Sequence, residues 1–268
     1  MNEKFYWTVE QASRGVAQFD KAMVDSCPVS KAYVYDAHKY LETVGEACNY
    51  IAASERISWG NYLNKNAKVM DFGCGGGWMA AMLSRLDPVK TVYALDSSRH
   101  FLHTIMPKVI ELMNGRPEKV VPIEGLFQPI LFEDAHLDVV VASSALHHAD
   151  SLEPLLKEIR RVLKQGGYLF VLNETPRASY RYMISVAAAA FRILRNLLFR
   201  RYYAMSPAVS SSGYLYDPKL GDRDYPRWYW ERALAVSGFS IESVMDTGLP
   251  TLKGRKGRPL IHFICRGV

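Results

Sequence analysis

The sequence predicts an open α/β fold, a doubly wound sheet with helices on both faces, and three observations carry that expectation. From Lys68 onward, short apolar runs alternate with amphipathic helical stretches, the pattern of a parallel sheet. The first apolar run leads into a glycine-dense turn, Asp71-Phe72-Gly73-Cys74-Gly75-Gly76-Gly77, which opens directly onto the helix-compatible stretch Trp78–Leu86. The second run ends on Asp96, about 20 positions after the turn, where a carboxylate can accept from both hydroxyls of a ribose.

Residues 1–66 precede the first strand and read as a helical, aromatic-rich cap. Ala37–Ile57 places Tyr40, Leu41, Val44, Ala47, Cys48 and Ile51 at near-helical spacing, so one face packs inward. Phe5, Tyr6, Trp7, Phe19, Tyr33 and Tyr35 either pack this cap onto the sheet or line a pocket beside the glycine turn. Val69–Phe72 is the first strand. Thr91–Leu95 is the second, and Asp96 or Ser97 is a candidate N-cap for the following helix, Arg99–Met113. Lys119–Ile123 and Asp138–Ala142 are the third and fourth strands. The helix Leu152–Leu163 turns Leu155, Leu156, Ile159, Val162 and Leu163 to the sheet and ends at a Gly166-Gly167 C-cap before the fifth strand, Tyr168–Asn173.

Pro176–Pro226 breaks the alternation. Pro176–Tyr203 forms one helix, with Arg181, Ser185, Arg192, Arg195 and Asn196 on one face. Ile184, Ala187, Ala190, Phe191, Leu194, Leu197 and Leu198 occupy the other side. Ala204–Pro226 reads as a long loop or flap. Trp228–Ser237 resumes as a helix, and Ser240–Met245 and Leu260–Cys265 are the last two strands. The basic loop between them, Lys253–Arg258, reads as a solvated hairpin end, with a phosphate or carboxylate as its alternative occupant.

The turn is richer in glycine than geometry alone needs. A tight turn uses one or two, and here four fall within five positions. Without a Cβ, glycine takes positive φ and lets the backbone approach a ligand closely. The dinucleotide fingerprint G-x-G-x-x-G/A can be laid on Gly75, Gly77 and Ala80, which keeps a NAD-type oxidoreductase open as a reading. Asp71 argues the other way: a buried carboxylate at the strand end repels a pyrophosphate and suits a ligand carrying an ammonium group.

The spacing Asp71-x-Gly73-x-Gly75-x-Gly77 resembles the first motif of class I S-adenosylmethionine (SAM) dependent methyltransferases. Ile130-Leu131-Phe132, the acidic pair Glu133-Asp134 and Asp138 resemble that family's link into its fourth strand. The run L-x-x-x-x-R-V-L-K-x-G-G-x-L, Leu156 to Leu169, is characteristic of it. The resemblance covers Lys68–Asn173 and points to the small-molecule branch, with a type 11-like domain. It implies a Rossmann-like sheet of seven strands whose last strand runs antiparallel to the other six. The domain organisation that follows is an N-terminal helical cap over 1–66 and a SAM-binding domain over 67–268, with 176–226 inserted after the fifth strand as a lid or substrate cover.

The same resemblance implies SAM as cofactor and S-adenosylhomocysteine as product. The residues it assigns to the cofactor are Asp71, Gly73, Cys74, Gly75, Gly77, Asp96, Ser97, Leu126, Phe127 and Ser143. The chain departs from the family at Gly125-Leu126-Phe127, where many members carry Gly-Asp-Ala and use the Asp to accept from the adenine amino group. Leu126 and Phe127 can sandwich adenine instead, and Gln128 can supply a polar contact. That departure also leaves open a non-catalytic relative that binds SAM weakly.

Methyl transfer from a sulfonium is an in-line displacement, so the protein must align donor and acceptor atoms, and a hydroxyl acceptor of high pKa also needs a base. His147 and His148, directly after the fourth strand, fall at the family's active-site edge and are the candidate bases. His147 comes first, because His148 or Asp150 can cap the next helix; a structural role for both stays open. Glu174 is a further candidate on that edge. The fourth strand ends Ala142-Ser143-Ser144, without the Asn/Asp-Pro-Pro-aromatic motif used on exocyclic amines of bases. No cysteine stands there for covalent attack on a pyrimidine, and no Asp/Asn cluster for a divalent metal. The acceptor atom is then O, N or C of a small-molecule metabolite.

Composition bounds the rest. At 268 residues, 49% hydrophobic and 22% charged, the chain is expected to pack as a globular protein. The net charge of +6 is spread over many segments, which does not make a nucleic-acid binder. The four cysteines are scattered without a CxxC pair, which fits a reduced, cytoplasmic compartment and no zinc site. No signal-peptide h-region and no bilayer-spanning run is visible. The basic amphipathic helix of the insert fits a lid over an apolar acceptor, peripheral membrane contact, a homodimer face or plain packing on the sheet.

Overall fold

The computed structural model describes residues 5–7, 34–149, 151–198, 223–251 and 257–268. Phe19, Tyr33, most of the flap 204–226 and most of the basic loop 253–258 lie outside the described residues. The strands are β1 (Phe5–Tyr6), β2 (Ala67–Phe72), β3 (Val89–Asp96), β4 (Val120–Glu124), β5 (Leu137–Ser143), β6 (Leu163–Glu174), β7 (Phe239–Pro250) and β8 (Pro259–Gly267). They form one sheet in the order β1-β4-β3-β2-β5-β6-β8-β7. β8 pairs antiparallel with both β6 and β7, and the other neighbours pair parallel, so the last strand alone runs against the sheet. The seven strands expected from the sequence are present. To them the structure adds the two-residue β1, which pairs Phe5 with Ile123 at the β4 edge. Trp7, buried just after it, meets Phe132 edge-on at 5.0 Å and so helps cover the sheet edge.

Alternation along the strands sorts the core into two layers. In β2, Val69 faces one layer with Trp78, Met79, Leu83, Ile105 and Phe170, while Met70 and Phe72 face the other with Leu155, Leu156, Trp230 and Phe263. The helices α3 (Trp78–Ser84) and α4 (Met106–Leu112) cover the first layer; α5 (Leu152–Val162) and α7 (Arg227–Val236) cover the second. Numbering these as α3 to α7 leaves α1 (Ala37–Glu42) and α2 (Tyr50–Ser54) before the first core strand, and α6 (Ser179–Leu198) in the insert. The stretch expected as one helix over Ala37–Ile57 is therefore broken. A π-helical turn at Thr43–Ala47 and a left-handed Asn49 (φ 60°) separate α1 from α2 and turn both toward the sheet's C-terminal edge.

Gly166 and Gly167 do not cap α5, contrary to the sequence expectation. The helix ends at Val162, and Leu163 already pairs with Leu137. The next pair in register is Val139 with Tyr168, so Lys164–Gly167 bulge out of β6. A Cβ on Gly167 would lie 2.8 Å from the Asp138 carbonyl, which is why a glycine sits there. The bulge brings Lys164 Nζ within 2.6 Å of Asp138, whose other oxygen accepts from the Lys68 N–H at 2.9 Å. Arg161, in the same run, donates to the carbonyls of Ile130 and Phe132 and to Asp134. It thereby fastens the link between β4 and β5.

Trp59 and Tyr62 dock the segment before β2 onto the sheet through Phe170, at ring separations of 4.9 and 5.1 Å. Phe170 is fully buried. Phe170→Ala should cost about 3–5 kcal/mol in denaturant unfolding, and it should red-shift the emission of Trp59 before global unfolding. A loss under about 1 kcal/mol would mean that this segment does not depend on the sheet.

Candidate active site

The strand order reverses across β2, with β3 on one side and β5 on the other. Ligands of open α/β sheets bind beyond the strand C-termini at such a point, and the glycine turn is placed there. Its backbone is held on several sides. The N–H groups of Gly73 and Cys74 both donate to the Leu95 carbonyl at 2.9 Å. The Gly75 N–H donates to Asp96 Oδ2 at 2.8 Å, and the Gly76 N–H to the Tyr40 hydroxyl at 3.0 Å. Gly73, Gly75 and Gly77 have φ of 75°, 50° and 80°, values that side-chain-bearing residues rarely adopt. Gly76 is constrained by space instead: a Cβ there would lie 2.6 Å from the Tyr40 ring.

A cavity of about 680 Å³ opens over this turn. Gly73, Cys74, Gly75, Asp96 and Ser97 line it, as do Leu126, Phe127 and Gln128 from the link after β4 and Ser143, His147 and His148 from the end of β5. Two residues assigned to the cofactor from sequence stand elsewhere. Asp71 and Gly77 do not line the cavity; Asp71 is buried beneath the turn and Gly77 packs toward Met106. The sequence reading missed the wall supplied by the cap, namely Tyr40, Thr43, Val44, Cys48 and Tyr50. Tyr40 carried a signal only as one apolar-face position among several. Nothing in its spacing announced the hydrogen bond to Gly76.

Asp96 serves the turn and the next helix at once. While Oδ2 holds Gly75, Oδ1 accepts from the Ser98 N–H at 2.8 Å, and Ser98 Oγ in turn accepts from Phe101. The residue that caps the helix is thus Ser98, not Asp96 or Ser97 as the sequence suggested, and Asp96 holds Ser98 in place while its carboxylate lines the cavity. Phe127 stacks on Phe72, with ring centroids 4.8 Å apart and an interplanar angle of 29°. It forms a flat apolar surface next to Leu126, the residue that stands in the position of the family's carboxylate.

On the cavity wall His147 Nδ1 lies 2.9 Å from Glu174 Oε2, joining the turn after β5 to the end of β6. Glu174 is 2% exposed, and its second oxygen has no hydrogen-bond partner among the described residues. With the carboxylate accepting at Nδ1, the imidazole keeps Nε2 as its proton acceptor. The returning end of the insert pins this corner. Arg223 donates its backbone N–H to the His147 carbonyl at 2.9 Å and its guanidinium to the His148 carbonyl at 2.6 Å, and the Tyr225 hydroxyl donates to the Ala149 carbonyl. Between them, Asp224 pairs with Arg177 and with Arg258. Sequence gave no signal for this latch, because its partners are far apart in the chain.

Residues 70–171 match the family model described as a methyltransferase domain. This domain belongs to the class I SAM-dependent methyltransferases. The methyltransferase domain is 28% identical over 145 residues to the demethylmenaquinone methyltransferase of Staphylococcus aureus, a match covering 54% of this chain and 57% of that protein. It is 32% identical over 111 residues to the sterol 24-C-methyltransferase of Candida albicans, covering 39% of this chain and 27% of that protein. The chain thus spans less than two thirds of either relative. In structure it is similar to a Haloferax volcanii methyltransferase solved in complex with the Trm112 activator, with a TM-score of 0.58, 13% identity and coverage of 88% and 96% of the two chains. That likeness speaks for the fold.

Beneath the domain's glycine turn, burial pushes the Asp71 carboxyl up to about 8, opposed by a backbone hydrogen bond from Ala80 and reinforced by the charge of Asp96. Its Oδ2 has no hydrogen-bond partner among the described residues. The unfolded value is 3.8, so between there and about 8 the folded protein holds a proton that the unfolded chain has released. This contribution to stability is full below the unfolded value and is lost as pH rises through the folded one. Asp71→Asn, which keeps a neutral group of the same shape, should therefore lose less melting temperature than wild type between about pH 6 and pH 9. Parallel curves for the two proteins over that range would contradict a neutral, buried Asp71.

Proposed function

We propose that this chain transfers a methyl group from SAM to O, N or C of a small, largely apolar molecule, with His147 as the general base when the acceptor atom carries a proton. One observation supports it above the others: a single cavity is lined by the glycine turn, by Asp96 and by His147, whose ring is held by Glu174. The residues present fit the cofactor. Asp96 and Ser97 supply acceptors for ribose hydroxyls, Leu126 and the Phe127–Phe72 stack a surface for adenine, and the Gly73–Gly75 backbone a close approach for the amino acid part. Gln128, which lines the same cavity, stands in for the missing adenine carboxylate. When bound, SAM supplies an activated methyl carbon on a sulfonium.

The protein's own part is alignment and proton removal. His147 takes the acceptor's proton at Nε2, and Glu174 holds the ring through Nδ1–H and stabilises the imidazolium that forms. Tyr50 and Ser144, whose hydroxyls lie 2.9 Å apart on the cavity wall, offer polar contacts beside it. The apolar character proposed for the acceptor follows from Val44, Trp78, Phe101, Phe127 and Leu155 in the lining. It also agrees with relatives named for a sterol and a demethylmenaquinone. The insert contributes on the acceptor side, through the Arg223–Tyr225 segment that fixes the His147–Ala149 corner.

Two variants separate cofactor from chemistry. Asp96→Ala should weaken S-adenosylhomocysteine binding in calorimetry by roughly tenfold to several hundredfold; a change under about threefold would limit Asp96 to its contacts with the Gly75 and Ser98 N–H groups. His147→Ala should leave that affinity within a few fold and lower turnover of a hydroxyl acceptor by about 10²–10⁴. Equal turnover with His147 removed would overturn its role as base. Thermal shift with NAD in place of SAM discriminates the oxidoreductase reading, for which stabilisation by NAD alone is required.

A further inference from the structure

The insert helix α6 carries an exposed apolar stripe. Tyr180, Met183, Ile184, Phe191, Leu194 and Leu198 are each between 56% and 72% exposed. At about 100° per residue they fall within one third of the helix circumference. Tyr182, on the opposite side, is buried, so the first turn of α6 is seated on the protein there while the apolar stripe faces outward. Contiguous exposed apolar surface of this kind marks a docking site.

Charge selects what docks. Between Glu174 and Asp217 the sequence has six arginines and no acidic residue. On the helix itself Arg181 and Arg195 are exposed, next to the stripe. A second copy of α6 laid along the first would set these cations against one another with no carboxylate on either helix to offset them. An anionic lipid surface offsets them directly: the stripe enters the acyl boundary and the guanidinium groups meet the headgroups. Among the described residues no helix is long and apolar enough to cross a membrane, so the geometry is that of a helix lying in the interface.

We propose that α6 is an interfacial helix that seats this protein reversibly on an anionic lipid surface. α6 begins five residues after Glu174, the residue that holds His147 on the cavity wall. The inference does not depend on which atom is methylated.

Flotation of the full chain with vesicles tests it. The protein should float with equimolar phosphatidylcholine–phosphatidylglycerol vesicles at low salt, and much less with phosphatidylcholine alone or at about 0.5 M salt. The pair Phe191→Ser, Leu194→Ser should lower partitioning at least about tenfold. An unchanged thermal shift with S-adenosylhomocysteine would show that the variant is folded. Lys108→Gln, on the exposed side of α4, should bind vesicles as wild type does. Absence of wild-type flotation at low salt, or equal flotation of the double variant, overturns the proposal. So does a wild-type dimer in sedimentation that the double variant dissolves, since the stripe would then be a contact between copies.

Discussion

The backbone of the glycine turn is held by groups that the turn itself does not contain, and the placement of the site follows from that. The Leu95 carbonyl takes two of its N–H groups, Asp96 a third and the Tyr40 hydroxyl a fourth. Unsatisfied, such donors would be costly in a closed site. Satisfied in this way, they fix the loop against β3 and α1 together. The absence of side chains at Gly73 and Gly76 is the other half of the same constraint, since a Cβ on either would collide with Ala145 or the Tyr40 ring. Bending α1 away from α2 at the π-helical turn brings Tyr40 and Tyr50 to opposite parts of one wall.

Buried polar groups around the turn are arranged around neutrality or hydrogen bonding. Asp71 is held uncharged at neutral pH by burial. His262 is pushed down to about 4 by burial and lies 3.1 Å from Asn173 Oδ1, while Asn173 donates to the hydroxyls of Ser143 and Ser54. That chain runs from the last strand to the rim of the cavity. It gives β8 a part in the site through a polar core, although no residue of β8 lines the cavity.

Much of this was legible in the sequence where local chemistry decides. Strand and helix periods, the four glycines, Asp96 and the Leu156–Leu169 run placed the sheet and its switch point. What was not legible depends on partners distant in the chain. The pairing of Phe5–Tyr6 with β4, the Tyr40 hydroxyl on Gly76 and the Asp224 link between Arg177 and Arg258 have no local signature. Gly166-Gly167 shows the opposite error. Two glycines after an amphipathic helix satisfy the rule for a C-cap, but strand pairing at Leu163 takes over first and turns them into a bulge. Glu174 stood among the candidates, yet only the geometry joins it to His147.

The central claim is that one cavity holds the nucleoside against Asp96 and Phe127 and leaves the space beside His147 for the acceptor. A crystal structure grown with S-adenosylhomocysteine tests it most directly. The account predicts electron density for the product's ribose on the Asp96 carboxylate and for its adenine on Phe127, with space left beside His147. Density confined to another surface, or an adenosyl group lying on His147 and Glu174, would contradict it.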